Sequence, residues 1–126
     1  MAAANEINHR LLSNFKDEPK RMLKSISHYD REPLVTLEEA CKPLETILDD
    51  ELPENVKIAK INSKNAKHPL SADESAAIHL YTMEWNEREN SLYIILNQTL
   101  REPDRSKLRP WYRYMKLLLT ALFKLP

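Results

Sequence analysis

The sequence predicts an all-α protein of about five helices, and three observations carry that prediction. The 126 residues include no glycine, where average usage is roughly 7%. Tight hairpins favour Asn-Gly or Gly-X, so a sheet-rich chain would lack its preferred turns. Apolar residues recur at helical spacing along most of the chain, and helix-starting residues such as Thr36, Ser71 and Pro110 stand before those runs. With 19 Lys and Arg against 19 Asp and Glu and 42% hydrophobic residues, the composition reads as one ordinary soluble domain, or part of one.

Residues 1–32 read as a poorly ordered extension, with a weak helical period in Ile7, Leu11 and Phe15 and a second apolar set in Met22, Leu23 and Ile26. Residues 33–126 read as the helical unit. Its first helix starts at the N-cap Thr36, with Glu38 and Glu39 favoured by the helix dipole. Leu37, Ala40, Cys41, Leu44 and Leu48 line one face. Pro43 should kink or split this element, because it removes an amide donor and crowds the preceding turn. Val56 to Ile61 fits both a strand and a short helix, and a short helix is expected. Ser71-Ala72-Asp73-Glu74 is a capping-box pattern that predicts a helix from Ala72 to about Trp85, with Ile78, Tyr81 and Trp85 as its buried stripe. After a polar break at Asn86 to Asn90, Leu92, Tyr93, Leu96 and Leu100 define a helix ending near Pro103. Pro110 suits the first turn of a final helix through Trp111, Tyr114, Met115, Leu118, Leu122 and Leu125.

Several functions lose their raw material. A P-loop, a G-x-G-x-x-G turn and an EF-hand loop all need glycine. A single cysteine, Cys41, permits no internal disulfide, and His9, His28, His68 and His79 show no metal-ligand spacing, so no metal is expected. No segment is long and apolar enough to span a bilayer and Met1 to Arg10 lacks a signal-peptide core, so the default setting is cytoplasmic. Charge is uneven: residues 30–54 carry nine acids against Arg31 and Lys42, whereas residues 105–126 carry six bases and no acid. That polarity would either steer an anionic partner or pair the two ends internally.

The final helix is apolar nearly all round in its second half, since Leu117, Leu119, Ala121 and Phe123 flank the main stripe. Such a helix is normally enclosed by protein. The expectation is that one side of the 111–125 helix requires a layer outside this sequence: a β-core, a second protein chain or a second copy in a homodimer. A membrane surface is a lesser candidate. Nucleic acid is not favoured, because Trp111 and Tyr114, the aromatics between Arg109 and Arg113, already belong to the hydrophobic stripe.

Four stretches bear a family pattern: Leu70 to Ile78, Leu80-Tyr81-Thr82, Leu92 to Asn97 with Leu100-Arg101, and Leu118 to Pro126. Together they resemble the amino-terminal helical part of arginine-specific, NAD-dependent mono-ADP-ribosyltransferases, and Pro33 to Ala40 resembles that family's lead-in. The resemblance covers about residues 33–126. It implies an enzyme family that cleaves the nicotinamide–ribose bond of NAD or NADP and transfers ADP-ribose to a guanidinium. It also implies an α+β fold in which this helical subdomain precedes a β-core bearing an arginine, a serine motif and a glutamate-x-glutamate motif. None of those catalytic motifs can be assigned here, so the chain is expected to be a truncated or partial member, inactive alone. Glu87-Arg88-Glu89 matches the last motif only as a string; it lies in a polar turn ahead of the Asn97 helix and is read as solvated.

The resemblance implies that the helix of Asn97 and Arg101 lies beside the NAD cleft, and Tyr81, with its aromatic face, is a candidate to stack on the adenine or nicotinamide ring. Asn97 and Arg101, at i and i+4, share a helix face, and a guanidinium grips a pyrophosphate with two parallel hydrogen bonds. The competing reading makes Arg101 a helix-terminal charge and Tyr81 and Trp85 core residues, with an aromatic face for a planar ring as the functional alternative. His79 is expected at the surface and Cys41 as a small buried hydrophobe. The alternative function is a helical interaction module that docks or dimerises through its carboxyl-terminal helix.

Overall fold

The computed structural model describes residues 31–125, and over them the protein is all-helical, with no strand. The expected extension lies almost wholly outside the described residues. Five α-helices run in order: α1 Leu37–Cys41, α2 Glu51–Asn62, α3 Ala72–Thr82, α4 Leu92–Arg101 and α5 Tyr112–Lys124. Thr36 caps α1 by accepting the Glu39 amide at 3.2 Å. Pro43 then splits the first element as its missing amide requires, and the chain tightens into a 3-10 segment over Lys42–Thr46 that keeps Leu44 buried. The ambiguous Val56 to Ile61 run is helical, inside α2.

Both halves of the capping box form at α3, with Ser71 Oγ accepting the Glu74 amide at 3.1 Å and Glu74 Oε1 accepting the Ser71 amide at 2.8 Å. The helix ends at Thr82, three residues before the expected Trp85, because Met83 is already extended. Trp85 is still buried, from the loop. Ser91 caps α4. Pro110 sits inside a 3-10 segment, Arg105–Trp111, so α5 begins at Tyr112 and not at the proline.

Helix α3 is the hub: it packs chiefly against α5 and α2 and also meets α1 and α4. Ala76 and Ala77, both fully buried, let neighbouring backbones come close, and Ile78, Leu80 and Tyr81 bury other sides. Tyr114 of α5 donates its hydroxyl to the Ala77 carbonyl at 2.7 Å, locking the two helices in register.

The expected open flank of the last helix is largely closed. Leu117 and Leu119 are each 2% exposed and Ala121 is fully buried, whereas Phe123 is 52% exposed. The reason is tertiary: α1 and α3 both pack on α5, and the 3-10 segment ahead of it adds Leu108 and Trp111, both fully buried. The expectation of an uncovered side is therefore corrected at Leu117 and Leu119 and survives only at Phe123. No described helix is long and apolar enough to cross a membrane.

Candidate functional site

The end of α3 and the start of α4 face each other across the loop that joins them. A cavity of about 410 Å³ opens there, lined among others by Tyr81, Glu84, Trp85, Arg88, Tyr93 and Ile94. The walls are set locally. Met83 turns extended and ends α3, which carries Glu84 and Trp85 out along the loop, and the Ser91 cap restarts the helix so that Tyr93 and Ile94 return towards Tyr81. Tyr81 and Tyr93 meet edge to face, with centroids 5.2 Å apart and planes at 76°, a geometry suited to the ring quadrupoles.

Two of the three expected site residues come together. Asn97, 7% exposed, donates through Nδ2 to the Tyr93 carbonyl at 2.7 Å and to the Tyr81 hydroxyl at 3.2 Å. Tyr81 is 2% exposed, so it walls the cavity from the core rather than projecting a ring into it. Arg101 lies one turn beyond Asn97 on α4 and is exposed. Glu84 and Arg88, which bring one charge of each sign to the rim, were not singled out by sequence; they lie outside the helical stripes, and only the loop's path brings them to the cavity. Trp85 Nε1 is buried without a hydrogen-bond partner, as is Asn55 Nδ2 on α2.

The remaining candidates settle into other roles. Glu87 and Glu89 are exposed at the short 3-10 turn Arg88–Asn90, and Glu87 accepts from the Asn90 side chain at 2.8 Å. Cys41 is buried on α1, and burial, with Glu38 and Glu45 nearby, pushes its thiol far above the ordinary range, which removes it as a nucleophile. His79 is half-buried and meets Asn62 at 3.3 Å. Trp111 and Tyr114 are fully buried and meet edge to face, which takes both from any stacking surface. Among the described residues no group of three His, Cys, Asp or Glu side chains is placed to hold a metal.

Lys60 reaches Asp73, which also accepts the Leu37 amide at 2.9 Å, and Glu38 at 3.2 Å, so one ammonium ties α1, α2 and α3 together. Burial alone would push Asp73 up, but these partners hold it below the usual carboxylate range. The chain matches no protein-family model, no curated protein and no solved structure.

Proposed function

We propose that residues 33–126 form the helical part of an NAD-dependent protein-arginine mono-ADP-ribosyltransferase, with the groups that break the nicotinamide–ribose bond supplied by residues other than these. The observation that supports this reading is the behaviour of the stretch that carries the resemblance. Leu70 to Arg101 folds as one packed pair of helices, α3 and α4, joined by the Asn97–Tyr81 bond. The cavity beside that bond combines aromatic walls with one cation, Arg88. Aromatic faces suit the planar rings of NAD and a guanidinium suits its pyrophosphate. The cofactor is NAD or NADP, and Asn97, Arg101 and Tyr81 stand as its supporting residues.

A docking module has less surface to work with, since Leu117 and Leu119 are covered within the chain and Phe123 is the part of that flank left open. A β-core or second chain seated on the 111–125 helix would meet Phe123, which is 52% exposed.

The test is a graft of residues 33–126 ahead of the β-core of an arginine-specific member of the family. The grafted protein is expected to add ADP-ribose to a small guanidine acceptor, read as a mass increase on the acceptor, while the 126-residue chain alone releases no nicotinamide from NAD. A graft that folds by circular dichroism yet leaves NAD intact, or NAD cleavage by the chain alone, overturns the reading.

A further inference from the structure

Two side chains of opposite charge line the cavity between α3 and α4, and both are exposed: Glu84, on the stretch that leaves α3, and Arg88, at the 3-10 turn before α4. They do not neutralise each other, since the ion pairs formed by the described residues use neither. Trp85 and Tyr93 line the same cavity. A carboxylate attracts a cation, and aromatic rings add to that attraction through their quadrupoles. A guanidinium attracts an anion. The complementary ligand therefore joins a planar cationic part to an anionic one. At about 410 Å³ the cavity is near the small end of the range for ligand sites, with room for one end of a dinucleotide.

We infer that this cavity takes the nicotinamide end of NAD, in the oxidised form whose ring carries a positive charge, and that Glu84 is the residue that selects it. The inference rests on the NAD reading above and names the end of the molecule that the helices receive. Oxidised nicotinamide is a flat cation joined through a ribose to a phosphate, so it brings one charge to Glu84 and the opposite one to Arg88. The adenine end brings an anion to Arg88 but a neutral ring, which leaves the carboxylate of Glu84 without a countercharge. Reduction of nicotinamide removes the positive charge and keeps the ribose, the phosphate and nearly the same ring size. The oxidised and reduced forms therefore isolate what Glu84 contributes.

The test uses the full chain and titrations followed by nuclear magnetic resonance of the Trp85 indole proton. The probes are nicotinamide mononucleotide, its reduced form, adenosine monophosphate and NAD itself. Nicotinamide mononucleotide is expected to bind roughly five-fold more tightly than its reduced form, the upper end of what an exposed charge pair contributes, and more tightly than adenosine monophosphate. Glu84→Gln is expected to bring the oxidised and reduced forms to the same affinity, and Arg88→Gln to weaken both alike and leave their ratio in place. Both residues are exposed, so neither substitution opens the core. Equal binding of the two forms by the parent chain, adenosine monophosphate binding at least as tightly as nicotinamide mononucleotide, or a ratio that survives Glu84→Gln overturns the inference, and the NAD reading stands where NAD itself binds. Binding of none of the probes overturns the NAD reading and the charge selection with it.

Discussion

His79 shows how a residue with a plain surface expectation acquires a pH-dependent role from its neighbours. Burial holds its imidazole below the ordinary value of 6.5, and the Asn62 Nδ2 approach at 3.3 Å suits a neutral ring. The unfolded chain then binds the proton more readily than the folded one. Stability contributed by this site is present above the ordinary histidine value, is lost as pH falls from there towards the lower folded value, and levels off below it. His79→Gln is therefore expected to flatten the change in urea midpoint between about pH 7.5 and pH 5, relative to the parent protein. A midpoint profile identical in both proteins would mean that the ring gains its proton without cost to the fold. Cys41 and Tyr114 differ from His79 in having no such window, since burial drives both far above the range in which they would ionise near neutrality.

Among the elements, α3 and α5 are joined by a bond between the start of one and the end of the other. Lys124 Nζ lies 2.8 Å from Glu74 Oε2, and the carboxylate is 4% exposed while the ammonium is 39% exposed. Burial pushes the Glu74 carboxyl up, but Lys124 and the Ser71 amide together hold it below its ordinary value of 4.5. Lys124→Ala leaves that carboxylate buried with only the cap to satisfy it. Because the lysine is well exposed, the expected cost lies below that of a fully buried pair, at about 1–2 kcal/mol by urea unfolding at pH 7. The sign with pH follows: the contribution is present above the ordinary carboxylate value and is lost as pH falls through the folded one, so parent and variant converge in acid. A constant difference at all pH values would assign the loss to packing of the lysine stem.

These same elements mark what was legible in the letters. Ser71 and Glu74 are three residues apart, so their reciprocal cap could be read directly, as could the break that Pro43 imposes. The sequence separation of 50 between Glu74 and Lys124 hid their pairing, and the loop conformation that brings Glu84 and Arg88 to the cavity leaves no periodic trace. At the site, the i,i+4 spacing of Asn97 and Arg101 was visible, but the partners that turn the Asn97 amide were not, because one of them is a backbone carbonyl. Helix α3 shows the same limit. Buried on several sides, it has little of the one-sided pattern by which an amphipathic helix is recognised.

For the molecule as a whole, the decisive matter is whether α5 is enclosed by its own chain. Sequence spacing left Leu117, Leu119 and Phe123 outside the main stripe on a helix apolar nearly all round, yet the first two are buried where α1 and α3 pack on α5 and the third is half exposed. Truncating a covered leucine removes its transfer free energy and leaves a cavity, which costs about 2–5 kcal/mol; truncating an exposed side chain changes stability by about 0.5 kcal/mol or less. Leu117→Ala and Leu119→Ala in the isolated chain are therefore expected to lower the unfolding free energy by at least about 2 kcal/mol each, independently of protein concentration, and Phe123→Ala to leave it nearly unchanged. Concentration is the informative axis. A second copy covering this flank would make the cost of Leu119→Ala shrink on dilution, because the parent then loses the stability that association supplies while the variant, which associates less, loses little. Small effects at all three positions would show that α1 and α3 do not close over α5 in solution, and the flank would then require a layer from outside the chain.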